Sequence, residues 1–252
     1  MWEIYDTLID GIDEDKIVDE LICGRHYAYV RSGDWVGISG VRYGDTRPSI
    51  FSKNLIGAPL KEVATCIKSW NFLEASIGLA AINANYNNLD TARNNGVSFS
   101  DMKRVEDRIF DPFIMYQNMV KGKNVAVYGH FTKLESLIEP VCNLSIIEWE
   151  PEDDDFPVTA SEYILPQCDY VFLSNSSVID KSLPRFIETS KNAKQITIVG
   201  PGTPLAPCLF DFGIGDLSGF VVKDNEKASR IAARSENVRI YTAGQKVSFK
   251  KP

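Results

Sequence analysis

The sequence predicts an α/β protein in two parts, an α+β part over residues 1–120 and an α/β part with a mostly parallel sheet over residues 121–252. In the second part, short apolar runs alternate with helical stretches, which is typical of parallel strands joined by crossover helices. The first part lacks this alternation and reads as a helix, antiparallel strands and then further helices. Lys121-Gly122-Lys123 forms a polar boundary between the two parts.

The first part opens with a predicted helix over residues 2–10, whose apolar residues recur at helical spacing. Residues 21–39 contain two strand-like runs around the turn Ser32-Gly33-Asp34, with His26 inside the first strand. Two helices follow, "APLKEVATCIKS" and residues 71–88, and a cluster of asparagines ends the second of them.

The second part contains five apolar runs, "NVAVYG", "LSIIEWE", "DYVFLS", "QITIVG" and "SGFVVK". Such nearly continuous runs are typical of strands that are covered on both faces. A sixth strand, "VRIYT", is predicted at 238–242. Helices are predicted near residues 132–139, 178–190, 204–212 and 224–234. The acidic patch "EPEDDD" at 150–155 is interpreted as a solvated loop.

The composition argues against nucleic-acid, membrane and structural-metal functions. A net charge of −7 over 252 residues disfavours binding to phosphate backbones. No uncharged apolar run approaches the ~20 residues that span a bilayer, and the acidic N-terminus lacks the features of a signal peptide, so a cytoplasmic protein is expected. Five widely separated cysteines and two histidines predict reduced thiols rather than a metal site built by the polypeptide.

Small and polar residues follow the strands of the second part. Because the carboxyl ends of parallel strands meet at one edge of a sheet, where ligands bind, we expect a shared crevice there. Its expected lining is Gly129, His130, Phe131, Glu148, Ser174, Asn175, Gly200, Gly202 and Thr203. Glu148 occupies a position that binds ribose hydroxyls in nucleotide folds. A capping box of Thr132 and Glu135 is expected to start the helix after the first strand.

The segment "VGPGTPLAP" at 199–207 predicts a sharp turn, because glycines flank Pro201 and leave backbone amides free to face a ligand. Thr203 is expected as the N-cap of a helix that begins at Pro204, and the dipole of that helix would favour an anion. The alternative is a rigid turn that its prolines stiffen.

Two residues are candidates for proton transfer. His130 is the one imidazole at this edge, and histidine titrates near neutral pH, although a structural imidazole is the alternative. Glu74 shares a helical face with Gly78 and Ala81, so its carboxylate could project between the two parts or be a solvated helix charge. Asn83, on the same helix, is a further candidate for contacting a ligand.

Five segments resemble a two-domain family of unknown function that is associated with heavy-metal chelation: "SWNFLEASIGLAAINANYNN", "KRVEDRIFDPFI", "VGPGTPLAP", "VKDN" and "YTAGQKV". The resemblance covers essentially the whole chain. It implies an enolase N-terminal-like domain followed by a Rossmann-like domain, with a site between them for condensation or hydrolysis of flavin-, pterin- or siderophore-like molecules. By the match of motifs, Glu74 and Asn83 would meet His130, Glu148 and the "GPGTP" turn.

Three functional hypotheses remain open from the sequence. The first is an enzyme that acts on a heterocyclic or siderophore-like molecule, with His130 or Glu74 moving a proton. The second is a non-catalytic carrier or sensor of a metal complex or a nucleotide-like cofactor. The third is an S-adenosylmethionine- or NAD-dependent enzyme, against which the missing G-x-G-x-x-G counts. The expected partner is a small molecule, a metal chelate included; the cofactor stays unknown, and a homo-oligomer stays open.

Overall fold

The computed structural model describes residues 2–44, 47–50, 54–100, 110–152, 154–234 and 238–252. The helices in these ranges are α1 (Glu3–Asp10), α2 (Leu60–Ala64), α3 (Phe72–Tyr86), α4 (Leu89–Asn94), α5 (Pro112–Tyr116), α6 (Leu134–Leu137), α7 (Ser161–Ile164), α8 (Ser176–Ile179), α9 (Leu183–Thr189) and α10 (Asn225–Ala232). The strands are β1 (Glu20–Cys23), β2 (Tyr27–Ser32), β3 (Trp35–Gly40), β4 (Asn124–Tyr128), β5 (Asn143–Glu148), β6 (Phe156–Pro157), β7 (Tyr170–Ser174), β8 (Gln195–Val199), β9 (Asp216–Val222) and β10 (Gly244–Lys250).

The first part contains an antiparallel sheet in the order β1-β2-β3. β2 and β3 form the predicted hairpin, and Gly33 takes a φ of +59° in its turn. His26 does not lie in a strand, as the sequence predicted, but in the turn between β1 and β2. There the Gly24 N–H donates a hydrogen bond to the Tyr27 carbonyl (3.0 Å), which reverses the chain and divides the apolar run into two strands.

The second part contains a larger sheet in the order β10-β9-β8-β7-β4-β5-β6. Its neighbouring strands are parallel except β10, which runs antiparallel to β9. The chain builds outward from β4 to β6 and returns to β7 on the other side of β4, so the strand order reverses between β4 and β7. Such a reversal opens a crevice for ligands in α/β sheets. The predicted fold class, an α+β part followed by a Rossmann-like α/β part, is confirmed.

The end of the chain differs from the prediction. Residues 238–242, predicted as a sixth strand, enter a 3₁₀-helix (Ile240–Ala243), and the last strand is β10. Ile240 and Ala243 are both buried and stand three residues apart, a spacing that brings two side chains to the same side of a 3₁₀-helix. In β10, Val247 and Phe249 alternate onto the core.

The prediction of a helix over 204–212 is also wrong, both in the residue at which the helix begins and in the type of helix. Only a 3₁₀-helix, Pro207–Phe212, forms there, and residues 203–206 carry no regular structure. Pro207 has no N–H to donate to the residue four positions earlier, so it cannot extend an α-helix that begins at Pro204. Thr203 is fully buried instead of capping a helix.

Helix α3 lies between the two sheets and positions the candidate site. Asn71 caps its first turn, and nearly all of its residues are buried. One side packs on β2 and β3, and the other shares a core with large-sheet side chains such as Leu173. Gly37 of β3 permits the close contact, since it lies directly against the α3 backbone at Ala80 and Ala84.

The opposite face of the large sheet is covered by α5 and α6. Phe113, Tyr116 and Leu134 of these helices pack on Val127 and Phe172 of the sheet. The large sheet therefore has a helix-covered face on each side, one toward α3 and one toward α5 and α6.

In the described part of the chain, no helix combines the length and the hydrophobicity that crossing a membrane requires. The boundary at residues 121–123 and the cytoplasmic location stay predictions. Residues 103–109 of the motif "KRVEDRIFDPFI" lie outside the described residues.

Candidate functional site

His130 follows β4 and is bound to three carboxylates. Its backbone N–H donates to Oε2 of Glu148 (2.8 Å), and its Nδ1 lies 3.1 Å from both oxygens of Asp155. Its Nε2 lies 2.7 Å from Oε1 of Glu135. Asp155 and then Glu135 raise the pKa of His130 above its ordinary value of 6.5. Because both ring nitrogens contact carboxylates, the geometry favours a structural imidazolium over a general base.

The capping-box expectation for this loop is wrong, and the expectation of a solvated acidic patch holds only in part. The solvated-loop interpretation of 150–155 holds for the exposed residues 150–152 and 154 and fails at Asp155, whose side chain is only 4% exposed because it packs against His130. Thr132 and Glu135 do not form a capping box, since the N-cap of α6 is Lys133, with a left-handed φ of +77°. The carboxylates of Glu135 and Asp155 contact the His130 imidazole instead.

Replacing His130 with glutamine is expected to destabilise the protein more at about pH 6 than at about pH 9. A raised folded-state pKa contributes stability that is complete below the ordinary histidine pKa and is lost as the pH rises through the folded-state pKa. Urea unfolding of both proteins at both pH values measures the difference. His26→Gln, at an exposed turn residue, is the control. An equal loss for His130→Gln at the two pH values would contradict the ionic contacts.

Glu148 ends β5 and holds the neighbouring loop. Its Oε1 accepts a hydrogen bond from the Trp149 N–H, and its Oε2 accepts the His130 N–H (both 2.8 Å). Gly129 in that loop has a φ of +102°, and a Cβ there would lie 3.0 Å from Cβ of Ser174. The structure thus brings Gly129, Glu148 and Ser174 together at the carboxyl edge, with both oxygens of Glu148 bound to backbone.

The turn Gly200-Pro201-Gly202 receives the side chain of Asn175. Gly200 has a φ of +133°, and a Cβ there would lie 2.0 Å from Oδ1 of Asn175. A Cβ on Gly202 would lie 2.8 Å from Nδ2 of the same side chain. The two glycines therefore make room for an asparagine of the protein itself, which favours the rigid-turn alternative over an open anion site.

Asn83 and Asn87 of the α3 region reach the same turn from the first part. The Asn83 Nδ2 donates to the carbonyls of Gly202 (2.9 Å) and Ile38 (2.8 Å). The Asn87 Nδ2 donates to the carbonyl of Thr203 (2.9 Å). Both asparagines are buried, so the crevice between the two parts is closed at this end by protein contacts.

Glu74 lies at the other end of α3 and is buried rather than solvated. Its Oε2 accepts a hydrogen bond from the Ser69 hydroxyl (2.5 Å), and its Oε1 accepts the Ile50 N–H (2.9 Å). The Ser49 hydroxyl also donates to Oε1. These contacts hold residues 49–50 against the start of α3.

Beside this end of α3 lies a half-buried charged group that the sequence reasoning missed. The guanidinium of Arg42 stacks on Trp149, with Cζ 4.8 Å from the ring centroid. Its Nε lies 3.7 Å from Oδ2 of Asp180, which accepts a hydrogen bond from the Tyr128 hydroxyl (2.6 Å). Nε and Nη2 of Arg42 are buried and have no hydrogen-bond partner within the described residues.

Lys181, which follows Asp180 in the chain, places a second cation beside Phe72. It has a left-handed φ of +65°, and its Nζ donates to the carbonyls of Ser69 (2.5 Å) and Ile179 (2.6 Å). Burial lowers the pKa of Lys181 to about 8. Its Nζ lies 5.5 Å from the Phe72 ring, which in turn lies 6.1 Å from Trp149. We call Arg42, Phe72, Trp149, Asp180 and Lys181 the crevice cluster.

The cluster shows no signal in the sequence because its members come from four separate segments. Trp149 lay inside the predicted strand run "LSIIEWE", and only the structure, in which β5 ends at Glu148, places it at the strand end. Phe131, by contrast, turns to the opposite face of the sheet and packs on Phe113, with ring centroids 5.3 Å apart. Together with Gly200 it lines a cavity of about 640 Å³ on that face.

The side chains that bind soft metals are poorly arranged for that purpose. Within the described ranges, no group of three or more His, Cys, Asp or Glu residues could hold a metal ion. The cysteines are free thiols, and burial raises the pKa of Cys66 to about 12 and that of Cys168 to about 11. Protonated thiols are poor metal ligands.

Comparisons with known proteins identify relatives of this chain. A crystal structure of a protein of unknown function from Desulfitobacterium hafniense, of the DUF364 family, shares 58% sequence identity and superposes with a TM-score of 0.92 over 100% of this chain and 99% of that one. A DUF364 protein of unknown function from Pyrococcus horikoshii shares the fold at 20% identity, with a TM-score of 0.78 over 98% of both chains.

An uncharacterized protein of Methanocaldococcus jannaschii, MJ0500, is 26% identical over 179 residues, which cover 69% of this chain and 64% of that relative. The match thus spans less than two thirds of that relative's length. A family model, DUF4213, described as "putative heavy-metal chelation", matches residues 5–86. The DUF364 model, with the same description, matches residues 111–251, more than half of the chain. The protein therefore belongs to the DUF364 family.

Proposed function

We propose that the protein binds a small anionic molecule with a flat ring, of the heterocyclic or siderophore-like kind, at the crevice cluster between its two parts. The observation that carries this proposal is the guanidinium of Arg42, which is buried with unpaired N–H groups beside an exposed tryptophan. The family description, heavy-metal chelation, supports a ligand that itself chelates metal.

Arg42 is arranged as an incomplete anion site. Its side chain is 15% exposed, and an unpaired polar group that is buried costs about 1–3 kcal/mol. Asp180 offsets the charge only in part, because its oxygens already accept hydrogen bonds from Tyr128 and Ser182. A carboxylate, phosphate or phenolate of a ligand would pair with the free N–H groups of Arg42.

The aromatic side chains of the cluster suit a planar ligand. Trp149 is 45% exposed, so one face of its ring is covered by Arg42 while part of the indole stays accessible. Phe72 extends the aromatic surface toward Lys181, the second cation. Pterins, flavins and catecholate chelators combine a flat ring with acidic oxygens, which is the chemistry that this surface complements.

Binding without turnover is the form of this function that the geometry favours. Both nitrogens of His130 contact carboxylates, and both oxygens of Glu74 accept hydrogen bonds from the protein. Neither predicted proton-transfer residue presents a free atom to a ligand in this arrangement. Condensation or hydrolysis of the ligand is the second candidate, since Lys181, with a pKa near 8, could exchange a proton.

Arg42→Gln is expected to weaken ligand binding by at least about tenfold, because it removes a charge-assisted hydrogen bond. Mass spectrometry of molecules that copurify with the native protein identifies the ligand class, and calorimetry with carboxypterin, salicylate and dihydroxybenzoate measures affinity. Arg93→Gln is the matched control, since Arg93 also lies over an aromatic ring, Phe99, but belongs to α4, which contributes no residue to the crevice cluster.

Two results would contradict this proposal. One is a native protein that copurifies with no such molecule and binds none of the three probes. The other is a probe that binds Arg42→Gln as tightly as it binds the Arg93→Gln control, provided that circular dichroism shows both variants to be folded.

A further inference from the structure

The cavity of about 640 Å³ lies on the face of the large sheet that is turned away from α3 and from the crevice cluster. Val199 at the end of β8 and Ser218 of β9 form its floor, and the start of α5, α6 and residues 238–242 form its walls. A volume of about 300–1,000 Å³ is typical of small-molecule sites. Its position at the carboxyl ends of parallel strands is where α/β sheets bind ligands.

The charge of the cavity is opposite to that of the whole chain. Its walls contain Lys133, Arg239 and Lys246 but a single described carboxylate, Asp111, in a protein of net charge −7. Asp111 is already engaged, because Oδ2 lies 3.0 Å from Nζ of Lys246 and Oδ1 accepts the Phe113 N–H. Within the described residues, Lys133 and Arg239 have no carboxylate partner. The excess positive charge favours an anion.

Aromatic rings line the same cavity. Phe113 and Phe131 lie with centroids 5.3 Å apart and form one wall. Tyr241 forms another, with Nζ of Lys246 4.9 Å from its ring centroid. A flat ring can stack on such walls while its substituents reach the cations.

We propose that this cavity binds a nucleoside monophosphate, with the base against Phe113, Phe131 and Tyr241 and the phosphate paired with Arg239, Lys133 and Lys246. A nucleoside phosphate joins a flat ring to an anion, and these are the two kinds of group that the aromatic and cationic walls of the cavity complement. This site lies on the opposite face of the sheet from the crevice cluster, so the two sites are separate and the second does not depend on the first.

Calorimetry on the whole chain tests the site with the four common nucleoside monophosphates, with adenosine and with inorganic phosphate. At least one monophosphate is expected to bind. Adenosine alone and inorganic phosphate alone are each expected to bind at least about tenfold more weakly than that monophosphate, because each makes only about half of its contacts. The double variant Lys133→Asn, Arg239→Gln is expected to weaken binding of the monophosphate by at least about tenfold. Asparagine tolerates the left-handed φ of Lys133.

The control is the double variant Lys121→Gln, Lys191→Gln, which removes the same charge from exposed residues near the amino ends of β4 and β8. Its affinity should change by less than about twofold. Arg42→Gln should leave nucleotide binding unchanged, which separates this site from the proposed function. The proposal is overturned if no monophosphate binds, if the Lys133→Asn, Arg239→Gln variant binds like its control, or if Arg42→Gln removes the binding.

Discussion

Replacing Gly37 with alanine is expected to lower the free energy of unfolding by about 3–5 kcal/mol. A Cβ at this position would lie 2.1 Å from the carbonyl oxygen of Ala80 and 2.1 Å from the backbone nitrogen of Ala84. Both are backbone atoms of α3, so no side-chain rotation can relieve the overlap. The strand β3 and the helix α3 would therefore have to move apart. Urea unfolding of the variant and the parent protein measures the loss of stability.

Gly40→Ala is the matched control for this prediction. Gly40 ends the same strand, and a Cβ there would meet nothing within 4 Å. Its stability should differ from that of the parent protein by less than about 1 kcal/mol. If Gly37→Ala proved as stable as Gly40→Ala, the close packing of β3 on α3 would be wrong.

Replacing Asn83 with alanine is expected to cost about 2–4 kcal/mol, because two buried carbonyls lose a hydrogen-bond donor at once. These carbonyls belong to Ile38 in the first part and Gly202 in the second. The measurement is again urea unfolding. Asn94→Ala, an exposed asparagine in α4, is the control and should change the stability by less than about 0.5 kcal/mol.

The variant Asn83→Asp separates the effect of losing the hydrogen-bond donor from the effect of removing side-chain volume. Aspartate has nearly the same shape as asparagine, but its carboxylate would face two carbonyl oxygens without a hydrogen to donate. It should be at least as destabilising as alanine. An aspartate variant as stable as the parent protein would show that the hydrogen bonds of Asn83 contribute little.

The sheet of the second part was predictable because its strands are buried on both faces. Continuous apolar runs such as residues 124–128 and 170–174 are typical of such strands, and their alternation with helices implies parallel pairing. Residues 71–88 were predictable as a helix for a similar reason, since the segment is rich in alanine and its asparagines mark both ends.

The errors in the fold arise where partners distant in sequence decide the local structure. The run at 238–242 is apolar enough for a strand, but β10 pairs with β9 over its whole length and takes that place at the sheet edge. At 203–206, the carbonyl of Thr203 and the N–H of Leu205 bind the side chain of Asn87, which favours an irregular chain over a helix. Neither contact can be predicted from the neighbouring residues of the sequence.

That the strand ends meet at one edge was predictable, but the contacts that their side chains make there were not. Residues at or directly after the ends of β4, β5, β7 and β8 do contact one another at the carboxyl edge, as the parallel topology requires. The partners of His130, however, are carboxylates at positions 135 and 155, and a single sequence does not reveal which acids fold onto an imidazole. Arg42 lies in a segment without a periodic pattern, so only the packing of the two parts exposes its role.

The contact of Asn83 and Asn87 with the Gly200–Thr203 turn consists of neutral amides and carbonyls. Dissolved ions screen charges over about 10 Å at 0.1 M ionic strength, but they have little effect on buried dipoles in direct contact. This contact should therefore keep its strength from dilute buffer to concentrated electrolyte, conditions in which a contact made of surface ion pairs would weaken.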